Sequence, residues 1–154
     1  MRCGGISERD AGVPRLELLM TVFAGMSGGL AGVLWSGLVT SPWLARVAPG
    51  PFAAPTESAA RLVAGAALRA AAGAGLGFLF WLGWGLIAVV NTPWYATGAL
   101  YGALCWSALI LPAFATLALR WKGTSGQLAV HAAEWLFTCM AIGLLCALSW
   151  HRYA

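Results

Sequence analysis

Four long apolar runs order this chain, roughly Leu18 to Leu44, Leu62 to Val90, Ala96 to Leu119 and Leu128 to Trp150, with short polar or proline-bearing connectors between them. Each run reaches the ~20 residues that a helix needs to cross ~30 Å of hydrocarbon. Backbone groups in lipid must be satisfied within the segment, so all four are predicted to be helices. The connectors are Ala45 to Arg61, rich in Pro and Ala; Asn91 to Tyr95, a tight Asn-Thr-Pro-Trp-Tyr turn; and Arg120 to Gln127, a basic Gly/Ser segment. Short connectors make sequential helices antiparallel neighbours. The predicted architecture is an all-α integral membrane four-helix bundle over residues 18–154, preceded by a polar tail over 1–17.

An internal repeat overlays this pattern. Leu62-Val-Ala-Gly-Ala-Ala-Leu-Arg69 aligns without gaps with Leu128-Ala-Val-His-Ala-Ala-Glu-Trp135, and the register continues to Leu82-Gly-Trp84 over Leu148-Ser-Trp150. In the odd spans, Gly28 to Ser36 followed by Pro42 resembles Gly98 to Ser107 followed by Pro112, allowing a one-residue shift. The expectation is two similar helical hairpins in parallel, related by a pseudo-twofold along the membrane normal, with aligned residues at similar depth.

Composition agrees with the membrane class: 60% of residues are hydrophobic and 9% charged, where a soluble domain carries about a quarter charged. The net charge of +4 is scattered through tails and loops, which suits anionic lipid head groups rather than the single basic face of a nucleic-acid binder. Lys and Arg near the termini and the Asn91 turn (Arg2, Arg9, Arg15, Arg152) are one fewer than on the opposite loops (Arg46, Arg61, Arg69, Arg120, Lys122). That difference leans toward the termini lying outside. The apolar run after the tail is far longer than the ~7–15 residues of a signal-peptide core, so the first span is expected to stay in the protein. No lipidation motif is found. Cys105, Cys139 and Cys146 fall within spans and Cys3 in the tail, which implies no disulfide framework.

Small residues recur at helical spacing as Gly28, Gly32 and Ser36, as Gly73 and Gly77, and as Gly98 and Gly102. Such ridges let helix backbones approach closely in lipid, either inside this bundle or against another subunit. Of nine tryptophans, Trp43, Trp94, Trp121 and Trp150 lie at span ends, where amphipathic rings anchor to the head-group layer. Trp35, Trp81, Trp84, Trp106 and Trp135 lie deeper or are harder to place, and leave room for contact with a bound lipid, quinone or pigment; the sequence itself requires no cofactor.

The candidate polar site is Arg69, His131 and Glu134. His131 and Glu134 share a helical face at a spacing used by metal ligands, but a metal needs three or four donors and His151 lies ~30 Å along the helix, so no metal is expected. With the repeat as a depth map, Arg69 falls over Trp135, next to Glu134. Three readings stay open for the two charges: separate snorkelling to the interface, a structural ion pair, or a step on a proton or solute path.

The segment Gly32-Val-Leu-Trp35-Ser-Gly-Leu-Val-Thr-Ser-Pro-Trp43, the Trp106-containing third span and the fourth span with His131 and Trp150 together resemble families of small four-span bacterial membrane proteins of no assigned function. The resemblance implies a bacterial inner membrane location and carries no catalytic residue to this chain. Disulfide-forming quinone reductases keep cysteine pairs in loops, and small multidrug exporters place their membrane glutamate in the first span. Membrane glutathione transferases need a polar cluster lacking here, and Trp-rich translocators have five spans. The expected function is therefore non-catalytic, an accessory or assembly subunit that meets other membrane subunits or copies of itself. The alternative is a small transporter or channel with a polar path near Arg69, His131 and Glu134.

Overall fold

A computed structural model describes residues 13–43, 59–87, 92–120 and 125–153, all but Thr92 and Pro93 of them helical. Helix α1 runs as an α-helix over Val13–Trp35, widens into a π turn over Ser36–Thr40, and continues to residue 43. Helix α2 is Ala59–Ile87, and α3 is Trp94–Cys105, continued by a second π turn, Trp106–Ile110, and by Leu111–Arg120; α4 is Ser125–Tyr153. Four stretches, Leu16–Trp43, Leu62–Gly83, Trp94–Leu119 and Gly126–His151, are long and apolar enough to cross a membrane. The chain is an integral membrane protein whose four helices pack as a bundle.

The helix starts at Val13, so the segment read as a polar tail to residue 17 already enters α1; residues 1–12, Leu44 to Ser58 and 88–91 lie outside the described residues, as do Trp121 and Cys3. Pro93 ends the short extended link before α3: its ψ of 145° is extended, and its carbonyl accepts the N–H of Ala96 at 2.9 Å and of Thr97 at 3.1 Å.

The two π turns have one cause. Proline has no N–H, and its ring crowds the carbonyl four residues back. Pro42 and Pro112 each follow a π turn by two residues. The turn before each proline relaxes into wider bonding, with Ser41 N–H on the Ser36 carbonyl and Leu111 N–H on the Trp106 carbonyl. The resemblance between the odd spans thus recurs as a local backbone feature.

Packing of the hairpins is less alike. α1 lies between α2 and α4, and α4 lies between α1 and α3; α2 touches α4 sparsely. A Cβ on Gly25 or Gly73 would overlap the other's carbonyl oxygen, and one on Gly77 would fall 2.6 Å from the Thr21 carbonyl oxygen. In the second hairpin Gly98 and Gly102 approach Gly143 and Cys139, each Cβ position 2.7 Å from a carbonyl oxygen. Gly28 and Gly32, the repeat equivalents of Gly98 and Gly102, instead face Ile142 and Thr138 of α4. Both odd helices therefore use their matching glycines against α4, one on each side. A twofold relation would have sent Gly28 and Gly32 to α2. All six glycines singled out in the sequence serve contacts inside the bundle.

Phe80, Ile142, Cys146 and Ala147 form a buried apolar cluster, flanked by Ala24, Leu76, Trp94, Tyr101 and Trp150. Trp94 and Trp150, read as interface anchors, are half-buried at one end of the bundle, and Trp94 stacks on His151 with centroids 6.5 Å apart; Trp43 is exposed at the opposite end. Cys105, Cys139 and Cys146 are free thiols.

With antiparallel neighbours, Thr92 and His151 belong to one face of the bundle, Ser41 and Gly126 to the other. Single cysteines at these exposed positions, in a background without native cysteines, should react with an impermeant maleimide in those two pairs. Labelling of Ser41→Cys and His151→Cys from the same side of sealed vesicles would refute the layout.

Candidate functional site

Arg69 on α2 lies seven residues beyond Leu62 and Glu134 on α4 eight beyond Gly126, which places both about 10–12 Å inside their spans. Side chains on a helix lean toward its N-terminus, and α2 and α4 both begin at the same face of the bundle. The two charges therefore lean the same way, toward the nearer interface, and can meet at one depth.

They do meet. The Nη2 of Arg69 donates to Oε1 of Glu134 in an ion pair. Its Nη1 donates to the Gly32 carbonyl oxygen at 2.8 Å, and the guanidinium carbon sits 5.3 Å from the centre of the Trp135 ring, within cation–π range. The other carboxylate oxygen of Glu134 lies 3.2 Å from Nδ1 of His131, and the Ser36 hydroxyl is a further hydrogen-bond partner. The Glu134 side chain is 1% exposed, that of Arg69 18% and that of His131 50%. An ion this deep is costly unless paired and hydrogen-bonded, and here both carboxylate oxygens are engaged.

The surroundings explain how α1, α2 and α4 converge at this level. Gly32 has no side chain, so α4 comes close enough for Thr138 to occupy that space, and the Gly32 carbonyl stays open to Arg69. The Thr138 hydroxyl donates back to the Glu134 carbonyl at 3.1 Å. Trp35 stacks on Phe137 at 4.3 Å between centroids, and the first residue of each π turn points to α4: Ser36 to Glu134, and Trp106 through Nε1 to the Ala132 carbonyl at 2.7 Å. Trp35, Trp106 and Trp135 thus have contacts inside the bundle, and Trp81 packs beside Phe78 with centroids 6.2 Å apart; the Trp84 side chain lies outside the described residues.

The arrangement binds three helices together. A carboxylate with both oxygens engaged and almost no exposure is poorly placed to take a proton from a substrate, and among the described residues no three His, Cys, Asp or Glu side chains converge on a point. Arg69, His131 and Glu134 were legible as a group from the repeat and the three-residue spacing. Trp135, Thr138, Trp106 and the Gly32 carbonyl were not, because their roles depend on which helix faces which. Gly25 and Gly29 carried an unused signal: a second glycine pair beside Gly28 and Gly32 marks α1 as a helix packed on two sides. Comparisons with protein-family models, with curated proteins and with solved structures return no match.

Proposed function

We propose that this chain is a non-catalytic accessory or assembly subunit of a larger complex in a bacterial inner membrane. One observation carries the reading. Ala60, Ala64, Ala67, Ala71 and Gly75 form an exposed stripe along α2, and a Cβ at Gly75 would meet nothing within 4 Å. Small residues at this spacing are the usual contact surface between helices in lipid, where close backbone approach supplies the association energy. The glycines on the inner faces are occupied within the bundle, whereas this stripe is exposed among the described residues.

Among the described residues the transport alternative finds little support: beyond the Arg69, His131 and Glu134 cluster, the buried positions of α4 are Thr138, Cys139, Ile142, Gly143, Cys146 and Ala147, apolar apart from one hydroxyl bonded to its own helix.

Purification from native membranes in a gentle detergent, followed by mass spectrometry, tests the assignment. Other membrane subunits should co-purify, and Ala64→Phe or Ala71→Phe should release them while the four-helix fold survives. A solitary chain or homo-oligomer, or partner retention by both variants, would overturn it.

A further inference from the structure

The two halves of α3 are held very differently. Gly98 and Gly102 seat the inner half, Trp94–Cys105, directly against the α4 backbone, and the Tyr101 hydroxyl ties it to α2 by donating to the Leu76 carbonyl oxygen at 2.6 Å. Beyond the Trp106–Ile110 turn, the outer half, Leu111–Arg120, touches α4 only sparsely, and Leu111, Leu117 and Leu119 are exposed. The junction between the halves is itself weak. Pro112 brings no N–H, so a rung of the helix ladder is missing just after a π turn, and prolines and π turns are where helices bend. One side-chain bond latches the turn to the bundle, from Trp106 Nε1 to the Ala132 carbonyl oxygen at 2.7 Å.

Space for a second position of the outer half lies on its α2 side. A cavity of about 310 Å³ has Ala72 and Leu79 of α2 on one wall, Leu109 and Ile110 of α3 on the other, and Trp135 of α4 beneath. In lipid a swing of the outer half exposes no apolar surface to water, because the tails are as apolar as a neighbouring helix. Contact alone is at stake: the outer half has little to give up on α4 and the far wall of the cavity to gain. The chain permits the movement, since the five peptide steps from Arg120 to Ser125 reach about 17 Å when extended, against about 8–10 Å between the axes of packed helices.

We infer that the outer half of α3 is a hinged arm, which swivels on the Trp106–Ile110 turn between the position described above and one in which Leu109 and Ile110 close over Trp135 against α2. The Trp106 bond to Ala132 holds the open position, and Pro112 keeps the hinge from setting into a continuous α-helix.

Double electron–electron resonance on the full chain in lipid nanodiscs, with spin labels on cysteines in a background lacking the native ones, tests the arm. Labels at Leu68→Cys and Leu117→Cys report on the outer half, and labels at Leu82→Cys and Tyr95→Cys on the inner half. The outer pair should show two distance populations and the inner pair one. Pro112→Ala, which restores the missing N–H, should reduce the outer pair to a single population, and Trp106→Phe, which removes the latch, should move weight to the shorter distance, both with the parent's helical circular dichroism. A single outer population in the parent, or two populations whose weights either variant leaves unchanged, would overturn the proposal.

Discussion

Glu134→Gln should lower the unfolding free energy in detergent by about 3–5 kcal/mol, the range for breaking a buried ion pair by removing one partner. The reason is the charge left behind. The Gln oxygen can still accept from Arg69, but with the carboxylate charge gone the guanidinium keeps only neutral partners among the described residues, that oxygen, the Gly32 carbonyl and the Trp135 face, and a side chain 18% exposed has little water to compensate. Arg69→Met should destabilise in the same way by stranding a carboxylate that is 1% exposed. The double variant should recover a large part of either loss, because a buried pair contributes little net stability over an apolar replacement. Denaturant titration of the four proteins gives the coupling energy as a double-mutant cycle; a coupling of zero would show that the two residues act independently.

The second large effect belongs to the glycine contacts. Gly143→Ala and Gly25→Ala each place a methyl group into a backbone carbonyl oxygen, of Gly98 and Gly73 respectively. Overpacking typically costs about 1–3 kcal/mol, and these sites should fall at or above the top of that range, since backbone in two helices must separate to relieve the clash. Gly65→Ala and Gly75→Ala are the matched controls, with nothing within 4 Å of the added methyl. They should be neutral or should stabilise by up to about 1 kcal/mol, because glycine is the poorer helix former. Thermal melts of the four variants check the contrast; equal melting temperatures for the Gly25 and Gly75 variants would mean that α1 and α2 are not in backbone contact.

Four spans, their antiparallel order and the similar depth of Arg69 and Glu134 could all be read from the chain itself, whereas the choice among snorkelling, an ion pair and a path could not. Length and apolarity decide spanning because lipid offers the backbone no hydrogen bonds, and those are local properties. Even the π turns have a local cause in Pro42 and Pro112. The repeat put Arg69 and Glu134 at nearly one depth because depth depends on distance along a helix, which sequence preserves; that they meet was left to the packing.

Tertiary structure alone decided which faces meet. Gly28 and Gly98 occupy equivalent places in the repeat, yet both turn to α4, which leaves α2 and α3 in sparse contact through Tyr101. In water, apolar patterning would have marked the inward faces. In a membrane, lipid-facing and core-facing positions are equally apolar, and packing is chosen by the fit of small residues and backbone hydrogen bonds. That fit is a property of pairs of helices, and it exists only once they are side by side.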